Sequence, residues 1–361
     1  MLHRSRCNSY ATTWRRCSVE KFEIYNSKNE KEYKEWTRIV ETDFEDELML
    51  KPAYLNLFCR ENQEGYCVYL KDNEHAVLYP FLLREIPFAP EFKDIITAYG
   101  YGGPFVKGKL ELEKISTFWN KTDEWLMKNK VVSEVVKFSL FGTEHCGYPG
   151  MIEEAMKNIV RELNMPMEDM WMEFEHKVRK NLKKAQKNDL EFRVDPKGEY
   201  LEQFLEIYYS TMERREAGEA YYFEPDFFRN LQKNLPENFC YFHIFMNGRM
   251  ISTELALMSQ STMYSYLGGT IREYFEYRPN DFLKYQMILW AKEKNLKRFV
   301  LGGGYQNEDG IYKYKRSFAP NGEKIFKVGT RILNQEAYEQ LCQMKGIDAK
   351  HPFVPAYRIE L

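Results

Sequence analysis

The same succession of segments occurs twice along this chain, and that repetition narrows the possible folds more than any other feature. In the first half, residues 54–58, 66–70, 76–83 and 95–97 have the β-branched and aromatic content of strands. The loop Ala98, Tyr99, Gly100, Tyr101, Gly102, Gly103, Pro104 follows, then a helical stretch at 115–127 and a strand at 132–138. In the second half, strands at 240–246 and 250–259 flank Asn247-Gly248, a pair suited to the left-handed backbone of a tight hairpin. A strand at 263–267 runs into Gly268, Gly269 and Thr270; a helix follows Pro279 and Asn280 as far as Lys294; a strand at 298–301 closes the unit.

Hairpins that feed a helix and then a parallel strand define a mixed α/β sheet flanked by helices. Two such units in tandem create a cleft within or between them, the usual place for a ligand. The segments 175–187 and 198 to about 217 read as helices; Leu201, Phe204, Leu205, Tyr208 and Met212 recur at helical spacing, as a core-facing stripe does. The expected organisation is a disordered basic extension over 1–20, one unit over 21–168, a second over 169–335, and a tail over 336–361 that packs back on the body. A length of 361 residues suits two ordinary domains.

Composition removes several function classes. The net charge of −2 means that the chain as a whole is no polyanion binder, and DNA is not an expected partner; any nucleotide contact must come from a local patch. Its seven cysteines are scattered and form no C-x-x-C pair, which fits a reducing compartment, the cytoplasm, and neither a disulfide framework nor a zinc site. The histidines form no ligand pair, so no metal is expected. No apolar run reaches the roughly 18–20 residues that span a bilayer. Residues 1–18 are basic, free of acids and rich in Ser and Thr, but hold no apolar segment of a secretory signal; a transit peptide shares this composition.

Three stretches of the second half carry a family likeness. Arg179-Lys180-Asn181-Leu182-Lys183-Lys184-Ala185 resembles the R-x-N-x-x-K-A helix of Fem-type transferases, and Thr211-Met212-Glu213-Arg214 resembles their T-x-x-R helix end. The third is Tyr266-Leu267-Gly268-Gly269-Thr270, then Arg278-Pro279-Asn280, Leu301-Gly302-Gly303-Gly304, and the run from Asp309 to Phe318. In order and spacing these resemble the Fem-like branch of the GNAT superfamily, whose members carry two tandem GNAT folds. That resemblance implies transfer of an acyl or aminoacyl group to an amine. It also implies that Lys315 faces the reaction centre and that Arg214 contacts the diphosphate of a nucleotide-sugar acceptor. The chain departs from its relatives twice. The coiled-coil insertion of some Fem enzymes is absent. So is the R/Q-x-x-G-x-G/A signature of ordinary acyl-CoA enzymes, which argues against coenzyme A as donor.

On the residues alone, Lys315 lies four positions after Ile311 and three before Phe318, a place on an apolar stripe where a lysine either snorkels or acts. Arg214 ends an amphipathic helix, either as a fork for phosphate or carboxylate or as a cation on the helix dipole. Arg179 belongs to a basic helix that either meets phosphates or is a solvated face. Tyr99, Tyr101 and Tyr266 flank paired glycines, among them Gly269, that either let a ligand approach the backbone or end a strand at a bulge. Asn280 is expected to cap the helix from 281. Glu254, Glu308 and Asp309 are the candidates for a general base, Asp309 equally for a helix cap.

The expected activity is N-acyl or aminoacyl transfer onto a peptidoglycan or surface-polysaccharide precursor, nucleotide-linked or lipid-linked. No cofactor is held tightly; the donor is aminoacyl-tRNA or acyl-CoA, so tRNA is an expected partner in the first case. The alternatives are an acyl-CoA-dependent N-acetyltransferase on an amino sugar or other small amine, and a non-catalytic ligand-binding protein with the duplicated fold.

Overall fold

The computed structural model describes residues 21–72, 75–141 and 145–359, so the expected basic extension lies outside the described residues. The first half supplies strands β1 (Lys21–Asn26), β2 (Gln63–Lys71), β3 (Ala76–Ile86), β4 (Ala89–Ile96), β5 (Phe105–Lys107), β6 (Val131–Lys137) and β7 (Met151–Glu162). Its helices are α1 (Glu30–Asp43), α2 (Pro52–Asn56) and α3 (Leu112–Lys128). The second half supplies α4 (Met167–Glu173), α5 (His176–Ala185), β8 (Leu190–Asp195), α6 (Leu201–Arg214), α7 (Pro225–Asn234), β9 (Phe239–Met246), β10 (Arg249–Met258) and β11 (Thr262–Thr270). It ends with α8 (Pro279–Glu293), β12 (Arg298–Gly302), α9 (Gly310–Phe318), β13 (Glu323–Ile332) and α10 (Gln335–Lys345).

Local chemistry accounts for several boundaries. Asn29 caps α1 by accepting from the N–H groups of Lys31 and Glu32, and Glu30 and Glu32 complement the dipole of its first turn. The β9–β10 hairpin turns through Asn247 and Gly248 at φ of 50° and 77°, the positive pair that a twisted two-residue hairpin requires. Residues 54–58, expected as a strand, instead fall within and just after α2. Pro52 occupies the first helical turn, where its missing N–H costs nothing, and the buried apolar run 52–55 packs as a helix.

The repeat is literal in the topology. In the first half β2, β3 and β4 pair antiparallel in turn, and α3 leads to β6, parallel to β4. In the second, β9, β10 and β11 do the same, and α8 leads to β12, parallel to β11. All the strands join one sheet in the order β1-β2-β3-β4-β6-β13-β7-β12-β11-β10-β9-β8, with β5 on β3. The strand that follows each unit is exchanged. β7 follows β6 but pairs with β12, while β13 follows β12 but pairs with β6, and the two pair with each other at the centre. The chain position 168/169 therefore does not separate two sheets.

Helices cover both faces over β3, β6, β9 and β10, which are buried nearly throughout, whereas residues 151–155 of β7 are exposed. One core joins the halves beneath α1, α2, α6 and α7, through Trp36, Tyr54, Phe204, Tyr208 and Tyr241. On the opposite face α3 covers the first half, while α4, α5, α8 and α9 cover the second. The tail packs Tyr338, Leu341 and Tyr357 against Ile86 and Val132 of the first half.

Candidate active site

The second unit opens where its two parallel strands part. β11 pairs with β12 only over Thr262–Tyr264 and Arg298–Val300, yet β11 continues to Thr270. Opposite β10, Leu255 faces Leu267 and Ala256 faces Ser265, so Tyr266 is the extra residue of a β-bulge. Past the last paired residues, β12 ends at Gly302, with φ of 83°.

Three polar side chains surround Gly302. A Cβ built there would lie 3.2 Å from Lys315 Nζ and 3.9 Å from both Asn158 Oδ1 and Tyr101 Oη. Each comes from a different element: Tyr101 from the loop after β4, Asn158 from the exchanged strand β7, Lys315 from α9. The Tyr101 hydroxyl donates to Asn158 Oδ1 at 2.8 Å, and its ring packs on Tyr264 and Phe326. Lys315 Nζ donates to the Gly303 carbonyl at 2.7 Å. Burial, aided by the positive charge of Lys284, pulls the Lys315 ammonium down to about 8, against the opposing charges of Glu254 and Asp309. Lys315 does not share a stripe with Ile311, which is exposed; the buried residues of α9 are Tyr312, Ser317 and Phe318.

Behind Lys315 lies a closed ionic cluster. Lys284 Nζ, buried on α8, donates to Glu254 Oε1 at 2.5 Å and Oε2 at 2.6 Å, and to Ser265 Oγ at 3.1 Å. Ser265 donates in turn to Glu254 Oε1 at 2.6 Å. Glu254, a candidate base, is thus held in an ion pair. Asp309 is the N-cap of α9: it accepts from the N–H groups of Tyr312, Tyr305 and Gln306. Although burial pushes its carboxyl up, those bonds hold it below the ordinary range, the behaviour of a cap. Glu308 is exposed and paired with Lys157.

The expected cap at Asn280 is a correction. Arg278, at φ 60°, stands at the N-cap, Pro279 takes the first helical position, and Asn280 lies inside the helix. The carboxyl in that first turn belongs to Asp281, which accepts from Asn181 Nδ2 at 3.1 Å and is pushed up by burial. Arg179 donates to the carbonyls of Trp171, Met172 and Phe174 and so binds the end of α4. Gly269 serves packing, since a Cβ there would lie 2.7 Å from the Ile207 carbonyl oxygen and against Thr211 Oγ1 of α6.

Arg214 donates to the Thr270 carbonyl at 2.9 Å and lies over the Phe275 ring, with the charges of Arg215 and Arg272 close by. Tyr99, half-exposed, meets Tyr266 and Phe223 edge-on and stacks on Phe58. The Tyr266 hydroxyl is buried and has no hydrogen-bond partner among the described residues. Of the residues singled out in the sequence, Tyr101 and Lys315 thus meet at Gly302, and Tyr99 meets Tyr266. Arg179 and Gly269 are engaged by neighbouring backbone within the fold, and Asn280 lies in the first turn of α8. Asn158, Lys284 and Ser265 carry no signal in the sequence: Asn158 lies in a segment without a motif, and Lys284 has the sequence appearance of a surface lysine. Among the described residues no group of His, Cys, Asp and Glu is placed to hold a metal ion.

Residues 173–316 match the family described as an acetyltransferase (GNAT) domain. A curated relative, the Lipid II:glycine glycyltransferase of Staphylococcus haemolyticus (strain JCSC1435), is 29% identical over 106 residues, 27% of this chain. The match spans 25% of that relative's own length. Among solved structures, FemX superposes with a TM-score of 0.68 at 14% identity, covering 85% of this chain and 98% of that one. A tandem GNAT protein from the clavulanic acid biosynthesis pathway gives a TM-score of 0.51 at 8% identity, covering 87% and 99%. The fold is a tandem GNAT fold.

Proposed function

We propose that this chain, a Fem-like member of the GNAT superfamily, is an acyltransferase that moves an aminoacyl group onto an amine of a peptidoglycan precursor. The observation that carries the reading is the meeting of Lys315, Tyr101 and Asn158 around Gly302. The glycyltransferase likeness supports a lipid-linked acceptor; a nucleotide-linked precursor would carry the same amine. The work would be done in the cytoplasm.

In the reaction the neutral acceptor amine attacks the donor carbonyl, and negative charge gathers on its oxygen. A protonated Lys315 Nζ stabilises that oxygen, an interaction worth about 3–4 kcal/mol in comparable sites. The bond to the donor's leaving oxygen then breaks; that oxygen takes up a proton, and the nitrogen gives one up. Tyr101, whose hydroxyl burial keeps protonated, is fixed on Asn158 and forms the wall opposite. The half-exposed Tyr99 ring lines the approach, with Tyr266 packed against it edge-on. Arg214, with Arg215 and Arg272, offers its remaining donors to an acceptor phosphate.

Aminoacyl-tRNA is the favoured donor. The N-terminus of α8, where an acyl-CoA enzyme would cradle a diphosphate, is filled by Asp281 instead. The test is to incubate the chain with a UDP-linked muramyl peptide and either aminoacyl-tRNA or acetyl-CoA, and to weigh the products by mass spectrometry. Product with aminoacyl-tRNA, together with weaker acceptor binding by Arg214→Ala, supports the reading. Product with acetyl-CoA alone makes the chain an N-acetyltransferase. No product and no binding of any of these ligands overturns the acceptor assignment and favours a non-catalytic protein with the duplicated fold.

A further inference from the structure

We propose that the outer face of α5 docks the protein on an anionic membrane surface. The inference rests on the proposed function in one respect, that the acceptor amine is carried by a lipid. His176, Arg179, Lys180, Lys183, Lys184 and Lys187 line one shallow groove along this helix. At 1.5 Å rise per residue the stripe runs roughly 16 Å. Arg179 is spent on backbone carbonyls, so lysines make up the mobile charge. None of Lys180, Lys183, Lys184 and Lys187 pairs with a carboxylate among the described residues, whereas nearby Lys177 does, with Glu175.

The opposite side of the helix is rigidly held. Val178, Leu182 and Ala185 are buried with α8 in the core of the second half, and Asn181 bonds Asp281. The charged stripe is therefore presented by a fixed scaffold, and α5 also packs on α9, which bears Lys315. Met172, 69% exposed, stands beside the groove, its carbonyl bound by Arg179. A lysine stripe with an apolar side chain at its margin is the composition that adsorbs to anionic headgroups.

The occupant is a bilayer rather than a nucleic acid for two reasons. No Tyr, Phe or Trp lines the groove to stack a base, and its arginine is not free to fork a phosphate. No helix among the described residues is long and apolar enough to cross a membrane.

The experiment is co-sedimentation of the full chain with phosphatidylcholine vesicles, with and without a third of phosphatidylglycerol, at about 0.1 M salt. The wild type is compared with Lys180→Glu/Lys183→Glu/Lys184→Glu/Lys187→Glu and with the milder Lys180→Gln/Lys187→Gln, each checked for folding by urea melts. Expected are binding that needs phosphatidylglycerol, at least about 100-fold weaker partitioning of the quadruple variant, an intermediate loss in the double, and release by about 1 M salt. Transfer to the soluble UDP-linked acceptor stays unchanged in both. The inference is overturned by vesicle binding that is absent or indifferent to phosphatidylglycerol. It is equally overturned if the variants bind as the wild type does, or lose affinity for transfer RNA in a gel shift while keeping the vesicles. Loss of transfer to every acceptor with vesicle binding intact would strike the proposed function instead.

Discussion

Tyr101 and Asn158, 57 positions apart in the chain, are joined by a 2.8 Å hydrogen bond beside Lys315. Tyr101→Phe keeps the packing on Tyr264 and Phe326 but strands the buried Asn158 oxygen. The loss expected is about 1–2 kcal/mol of stability in urea melts, with kcat/KM about 10–100-fold lower. A rate equal to that of the wild type would remove Tyr101 from the site.

Lys315 works against the fold. Its proton is bound less tightly in the folded protein, at about 8, than at the ordinary 10.5. Below pH 8 both states are charged and the whole cost of burying that charge opposes folding; between 8 and 10.5 the cost fades, and above 10.5 it is gone. Lys315→Met is therefore expected to stabilise the protein by about 1–3 kcal/mol at pH 7, with no gain beyond pH 10.5. The same variant should lose about 10²–10³ in kcat. In the wild type, kcat/KM should fall as pH rises through about 8, since the protonated form acts. Thermal melts and rates across that range check both.

Lys284 and Glu254 stand or fall together. Lys284→Met leaves the Glu254 carboxylate buried without its partner and should cost about 3–5 kcal/mol. Lys284→Met/Glu254→Leu removes both charges and should regain most of that loss. Urea denaturation of the two variants measures the difference, and equal losses would contradict a closed pair.

At Gly269 a single methyl distinguishes packing from ligand binding. Gly269→Ala forces β11 away from α6, with an expected loss of about 1–3 kcal/mol. The folded fraction should keep its acceptor KM. A raised KM at unchanged stability would return Gly269 to the binding site.

Where neighbouring residues settle the backbone, the chain was legible. Asn247-Gly248 announces its hairpin, and the glycine motifs, in their order, announce the duplicated unit. Tyr54 is ambiguous because aromatic content suits a strand as well as a buried helix, and Pro52 in the first turn is the signal that separates the two. Asn280 misled because a good capping residue one place beyond a proline is already inside the helix. Lys315 is marked by its motif and not by its stripe, since Ile311 is exposed. The exchange of β7 and β13 has no local signature, because an apolar strand does not encode which edge it will join. Asn158 and the Lys284–Glu254 pair could not be read for the same reason: they are products of tertiary contact.

That exchange has a consequence for the chain as it is made. β6 and β7 are synthesised early, yet the strand that lies between them, β13, ends only at Ile332. Until the chain as far as Ile332 has left the ribosome, two facing strand edges stay open to pairing with other chains. The duplicated units cannot mature one after the other, as tandem domains commonly do. A fragment that stops before Glu323 should accumulate as aggregate, and the nascent protein should depend on chaperones until its last strand arrives.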